Sequence, residues 1–166
     1  MQGDNLLQLI AELAVALAGF SGVVTVLRER NSKEWDHAAV VGLMAMLHAS
    51  FLAGGLALVP FIFYHAGLSE AAIWGCAGTV GAVIQAVRLS GRRARTFATS
   101  GLPESQRASY WMGRFVTVGT LLLYLSQVVG VPFGRTFAPY LVALLLHLTA
   151  ASTIFYRLLT AQVRSV

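Results

Sequence analysis

The sequence predicts an all-α polytopic membrane protein, a bundle of about five transmembrane helices, and three observations carry that expectation. Charged residues make up 11% of the chain and hydrophobic ones 57%, about half the charge of an ordinary soluble domain. Mean hydropathy is +0.69, and several stretches reach the roughly 18 apolar residues that mark a spanning helix. Basic residues bunch beside alternate apolar stretches, as they do when every second loop faces the cytoplasm. No charged, periodic segment reads as a separate soluble domain, so residues 1–166 are expected to form a single membrane domain.

The first span is read over Leu6–Leu27. No positive residue precedes it and Arg28 and Arg30 follow it, the reverse of a secretory signal's charge order, so it is expected to be retained. The second runs over His37–Tyr64, with Asn31 and Glu34 spaced as a capping box and a bend expected near Pro60. The third is Ala71–Leu89. The fourth, Phe115–Val131, is the shortest; Pro103 and Glu104 suit the first turn of a helix, so an amphipathic extension through "SQRASYW" is expected to lead into it. "VPFGRTFAP" makes a tight hairpin to the fifth span, Phe137–Leu159. Trp35, Tyr64, Trp74, Tyr110, Trp111, Phe133 and Tyr140 fall near span ends and read as interfacial anchors.

With the N-terminus outside and the C-terminus cytoplasmic, eleven of the twelve basic residues lie inside and Arg135 alone lies outside. Residues 90–114 then form a basic cytoplasmic loop. Arg88, Arg92, Arg93 and Arg157 make a basic inner mouth able to meet anionic headgroups. Basic residues confined to short loops beside spans are explained by topology, and no nucleic-acid partner is expected. The lone Cys76 allows no intrachain disulfide and no thiol metal cluster.

Helical spacing sets faces. Ala71, Gly75, Gly78, Ala82 and Gln85 share one side of the third span, a seam of small residues along which backbones approach closely where lipid supplies no hydrophobic force. The first span has two such faces, one with Gln8, Glu12, Ala16 and Gly19 and one with Ala14, Ala18, Ser21 and Thr25, and is expected to be surrounded by protein. Five helices do not readily bury all of these faces, so a homo-oligomer is expected, with a compact monomer whose seams all face inward as the alternative; a further membrane partner is compatible with either.

At about 1.5 Å per residue, Glu12 lies roughly 22 Å, His48 roughly 16 Å, and Gln127 and His147 each roughly 19 Å from the inner boundary. Four polar groups from four helices thus fall in the middle of the slab, and the cost of facing hydrocarbon predicts that they face one another. Gln8 and Tyr140 would extend this layer outward. For every member a satisfied structural role stands beside the functional one; Gln85 and Gln127 read first as helix glue, and Met44 and Met46 as packing. Carboxyl and imidazole together suit ion or proton movement, and that reading leads. A non-catalytic accessory or scaffold subunit is the alternative. No enzyme activity and no cofactor are expected. A b-type haem between His48 and His147 is a more remote possibility, since two histidines suffice as axial ligands.

Two resemblances accompany these readings. "GFSG", Gly19 to Gly22, resembles the GxSG of rhomboid intramembrane proteases over four residues. In that family the serine helix follows others and the histidine helix is glycine-rich, whereas Ser21 is in the first span and "LLLHLTAAS" around His147 departs from the pattern. "AELAVALAGFSGVV", with arginines after it and Trp35 beyond, resembles a group of small bacterial multi-span proteins. That resemblance implies a bacterial inner-membrane location and carries no activity.

Overall fold

A computed structural model describes residues 1, 3–30, 37–91 and 104–163, with side chains over 1, 3–23, 40–91, 111 and 113–160. Every regular element among the described residues is helical: α1 (Asp4–Arg30), α2 (His37–His65), α3 (Glu70–Ser90), α4 (Glu104–Val129) and α5 (Phe137–Val163). Four contain segments long and apolar enough to cross a membrane: Asp4–Val23, Val40–His65, Glu70–Ser90 and Phe137–Thr160. The apolar part of α4 is shorter, Gly113–Val129. Each helix begins within a few residues of its expected start, α4 at Glu104 after Pro103. The capping pair Asn31 and Glu34, with Trp35, lies outside the described residues. So do Arg92 and Arg93.

The breaks between helices have local causes. Gly67 takes φ +78° just beyond α2, its N–H donating to the Tyr64 carbonyl at 3.0 Å, a left-handed stop that favours glycine. Ser69 is extended and its carbonyl takes the Ile73 N–H at 2.9 Å, opening α3, while Glu70 places a carboxylate in the positive first turn. Gly130, at φ +79°, ends α4. Arg135 then reaches back to donate from Nη2 to the Val128 carbonyl at 2.9 Å, putting a cation on the negative end of α4. Pro60 lies inside α2, which continues through it.

The expected single domain divides into two compact units, Val59–Ala143 with Met1–Gln2, and Gly3–Leu58 with Leu144–Val166. The division falls within α2 and α5.

In the Val59–Ala143 unit, α3 and α4 form an antiparallel pair. Gln85 meets Thr120, Gly81 meets the ring of Tyr124, and Gly78 meets Gln127, so each step along α3 is matched by a step back along α4. The glycines make this approach possible. A Cβ on Gly78 would stand 2.5 Å from Cβ of Gln127 and 3.0 Å from the Tyr124 carbonyl, and one on Gly81 would stand 2.8 Å from the Tyr124 ring. Trp74, fully buried, packs on Phe137 and Tyr140 at centroid distances of 5.4 and 5.7 Å, and Tyr140 packs on Tyr124 at 5.5 Å. Trp74 and Tyr140 therefore belong to a core rather than to an interfacial belt. Tyr64, Trp111 and Phe133 are exposed, as anchors would be.

In the other unit, Met46, Ala49 and Ala151 form a core onto which Leu17, Leu43, Ile154 and Phe155 pack. Phe20 meets Phe155 at 5.8 Å. Ala14 lies against Gly54, where an added Cβ would come within 3.2 Å. Leu7, Ile10, Ala14 and Ser21 give α1 its buried side.

Candidate functional site

The residues expected to form one polar layer fall into two sets. Gln127 and His147 are buried, at 0% and 2% exposure. Glu12, Gln8 and His48 are exposed. Local geometry explains the second set. Two residues at about 100° each put Glu12 roughly 160° around α1 from both Ile10 and Ala14, which are buried, and the same spacing puts His48 roughly 160° around α2 from the buried Met46 and Ser50. Both side chains point away from the core because their i±2 neighbours point into it.

Each forms its hydrogen bond within its own helix. Gln8 Nε2 donates to Glu12 Oε1 at 3.0 Å across one turn. His48 Nδ1 lies 2.8 Å from the Met44 carbonyl; a carbonyl only accepts, so Nδ1 carries a proton in this bond. Around it Met44, Leu47, Phe51 and Leu52 line a shallow apolar groove. The expectation that Glu12 and both histidines meet in one buried centre is corrected on this point: His147 is in the core while the other two face outward. A haem held between His48 and His147 of one copy is not favoured by this placement. Among the described residues, no group of three or more His, Cys, Asp or Glu is placed to hold a metal ion.

Gln127 and Tyr140 belong to the Val59–Ala143 unit. The Gln127 stem fills the notch left by Gly78, and its amide nitrogen and oxygen are buried without a hydrogen-bond partner, as is Trp74 Nε1. Gln85 is fully buried, donates to Thr120 Oγ1 at 2.8 Å and accepts from Arg88 Nη1 at 3.2 Å. The bond to Thr120 ties α3 to α4. Of the expected α3 seam, Gly78, Ala82 and Gln85 are buried, Gly75 lies beneath the Arg135 side chain, and Ala71 is exposed. Gly81 and Trp74 complete the seam. Gly81 is one turn from both Gly78 and Gln85, a signal the spacing already held.

The face of α1 bearing Gln8, Glu12, Ala16 and Gly19 is exposed, and nothing lies within 4 Å of where a Cβ on Gly19 would be. The second face is covered at Ala14 and Ser21. Ser21 donates back to the Ala18 carbonyl at 2.5 Å, and its buried hydroxyl has nothing of an exposed nucleophile about it. Arg88 and Arg157 are exposed. His65 caps its own helix, Nδ1 donating to the Phe61 carbonyl at 2.8 Å.

Fold and site together define an all-helical chain of membrane-protein character with polar side chains presented on outward faces of apolar helices. No known protein family, characterised protein or solved structure matches this chain.

Proposed function

We propose that this protein is a multi-pass protein of the bacterial inner membrane that works as a homo-oligomer and passes ions or protons, with Glu12 as the group that binds them. The observation that carries the reading is the outward placement of Glu12 and Gln8 well inside an apolar helix. An acidic or basic residue at the centre of a spanning helix costs about 2.5–3.5 kcal/mol on insertion scales, and such residues face protein or water rather than lipid. A pathway between copies gives Glu12 such surroundings. Five spans follow from the apolar stretches, and an outside N-terminus and a cytoplasmic C-terminus from the arginine distribution, which puts these cations on the inner side, near anionic headgroups. His48 offers a second outward polar position, while Gln127, His147 and Tyr140 serve packing.

The test is flux through liposomes holding the purified protein. Glu12→Gln keeps the size of the side chain and an oxygen able to accept from Gln8, and removes its ionisable proton. Proton or cation flux is expected with the unaltered chain and at most a tenth of it with the variant; equal flux from both removes the reading. A second reading, an accessory or scaffold subunit, is favoured by the α3–α4 seam, where Gln127 and Tyr124 fill the space against Gly78 and Gly81. It predicts no flux from the isolated protein and a membrane partner that co-purifies with it.

A further inference from the structure

We infer that the exposed face of α1 is completed by the same face of further copies, so that Gln8–Glu12 pairs from successive copies close into a hydrogen-bonded ring around a symmetry axis. The inference rests on the oligomeric reading above and goes beyond it, assigning the helix that lines the axis and the residues that join the copies.

Hydrogen-bonding capacity is the first argument. A carboxamide nitrogen carries two N–H groups, and a carboxylate has two oxygens. Within one copy, Gln8 spends one N–H on Glu12 Oε1 at 3.0 Å. Beside the Gln8 carbonyl oxygen, each copy is left with one Gln8 N–H to give and Glu12 Oε2 to receive, both on the exposed side of α1. Lipid satisfies neither. A second copy satisfies both, because rotation about an axis along the membrane normal brings the same residues to the same depth. Gln8 of one copy then donates to Glu12 of the next, head to tail, and the series closes when the rotation does.

Coverage is the second. In its most apolar window α1 is 22% buried, against 39–44% for the corresponding windows of α2, α3 and α5. The open side is narrow in profile where the ring requires it: Ala16 and Gly19 follow Gln8 and Glu12 on one face, and the space around Gly19 is clear to 4 Å. Small residues in this pattern let helices approach closely enough for short side chains to bond. Leu9, Leu13 and Phe20 on one flank and Val15 on the other are exposed, giving the joint apolar edges that keep lipid from the polar centre. His48 does not supply the same joint. Its side chain is bonded toward the N-terminal end of α2, and Glu12 toward the N-terminal end of α1. With the two helices entering from opposite sides of the membrane, the heads diverge in depth.

Cysteine cross-linking of the full-length oligomer in lipid nanodiscs tests the arrangement. In a Cys76→Ser background, Ala16→Cys is expected to give disulfide-linked dimers on mild oxidation, whereas Leu122→Cys, exposed on α4, stays monomeric on denaturing gels. Gln8→Leu combined with Glu12→Leu is expected to shift the intact, helical protein to monomers. An intact oligomer that cross-links through Leu122→Cys and not Ala16→Cys overturns the ring while leaving the flux reading to stand on Glu12→Gln. A chain that is monomeric throughout overturns both.

Discussion

Replacing Gly78 with alanine puts the α3–α4 seam to a quantitative test. The new methyl would stand 2.5 Å from Cβ of Gln127 and 3.0 Å from the Tyr124 carbonyl oxygen, where carbon atoms ordinarily rest about 3.5–4.0 Å apart. Neither obstacle turns on a side-chain torsion, since a Cβ and a carbonyl are both fixed by the backbone. The helices must therefore part locally by about 1 Å, loosening the Tyr124 ring over Gly81 and stretching the 2.8 Å bond from Gln85 to Thr120. Overpacking of this kind costs about 1–3 kcal/mol, and alanine's better helix propensity returns up to about 1 kcal/mol. With that return in full the net loss is about 0–2 kcal/mol, up to a roughly 30-fold fall in the folded-to-unfolded ratio, and against another glycine-to-alanine change, which gains the same propensity, the whole cost of about 1–3 kcal/mol should appear. Helicity followed through a titration with denaturing detergent in mixed micelles measures it. Gly119→Ala on α4, where nothing lies within 4 Å, is the control and should match the parent or exceed it slightly. Gly81→Ala should fall between the two, because the Tyr124 ring it meets can tilt. Equal stability of Gly78→Ala and Gly119→Ala would refute the close approach.

Two further substitutions follow from the same packing. Thr120→Val removes the acceptor of the Gln85 bond and should cost about 0.6–1.7 kcal/mol, the range for hydrogen bonds between membrane helices; in a cycle with Gln85→Leu that amount should appear as coupling, and strictly additive losses would deny the bond any worth. Ser50 is fully buried and its hydroxyl has no hydrogen-bond partner, so Ser50→Ala should leave the unfolding midpoint unchanged or raise it, and a loss above about 1 kcal/mol would show that the hydroxyl is engaged.

The helices themselves were legible because apolar length and arginine spacing are one-dimensional signals. The α3 seam was partly legible for the same reason: the spacing of Gly78, Ala82 and Gln85 marks a face without reference to any partner. Gly81 and Trp74 join that face through the partner helix. Trp74 reads as an interfacial anchor because tryptophan near a span end usually is one, and only the approach of Tyr140 and Phe137 places it in a core. The polar layer shows the opposite limit. Depth along a helix can be counted, and Glu12, His48, Gln127 and His147 were placed at similar depths, but rotation about each axis cannot be counted from depth. The i±2 neighbours held that information. Ile10 and Ala14 are the residues α1 buries, so Glu12 is turned away from them, and which side of α1 is buried is decided by Gly54 and the Met46–Ala49–Ala151 core on other helices.

The aromatic nest of Trp74, Tyr124 and Tyr140 gives the protein an internal optical gauge. An indole held within 5.7 Å of one phenol ring, which is itself 5.5 Å from a second, should receive their excitation and, being fully buried, should emit at short wavelengths. With Trp35 and Trp111 changed to phenylalanine, fluorescence colour and tyrosine-to-tryptophan energy transfer would track the integrity of residues 59–143 alone. That light signal separates the opening of this unit from any event in the other, without an added dye.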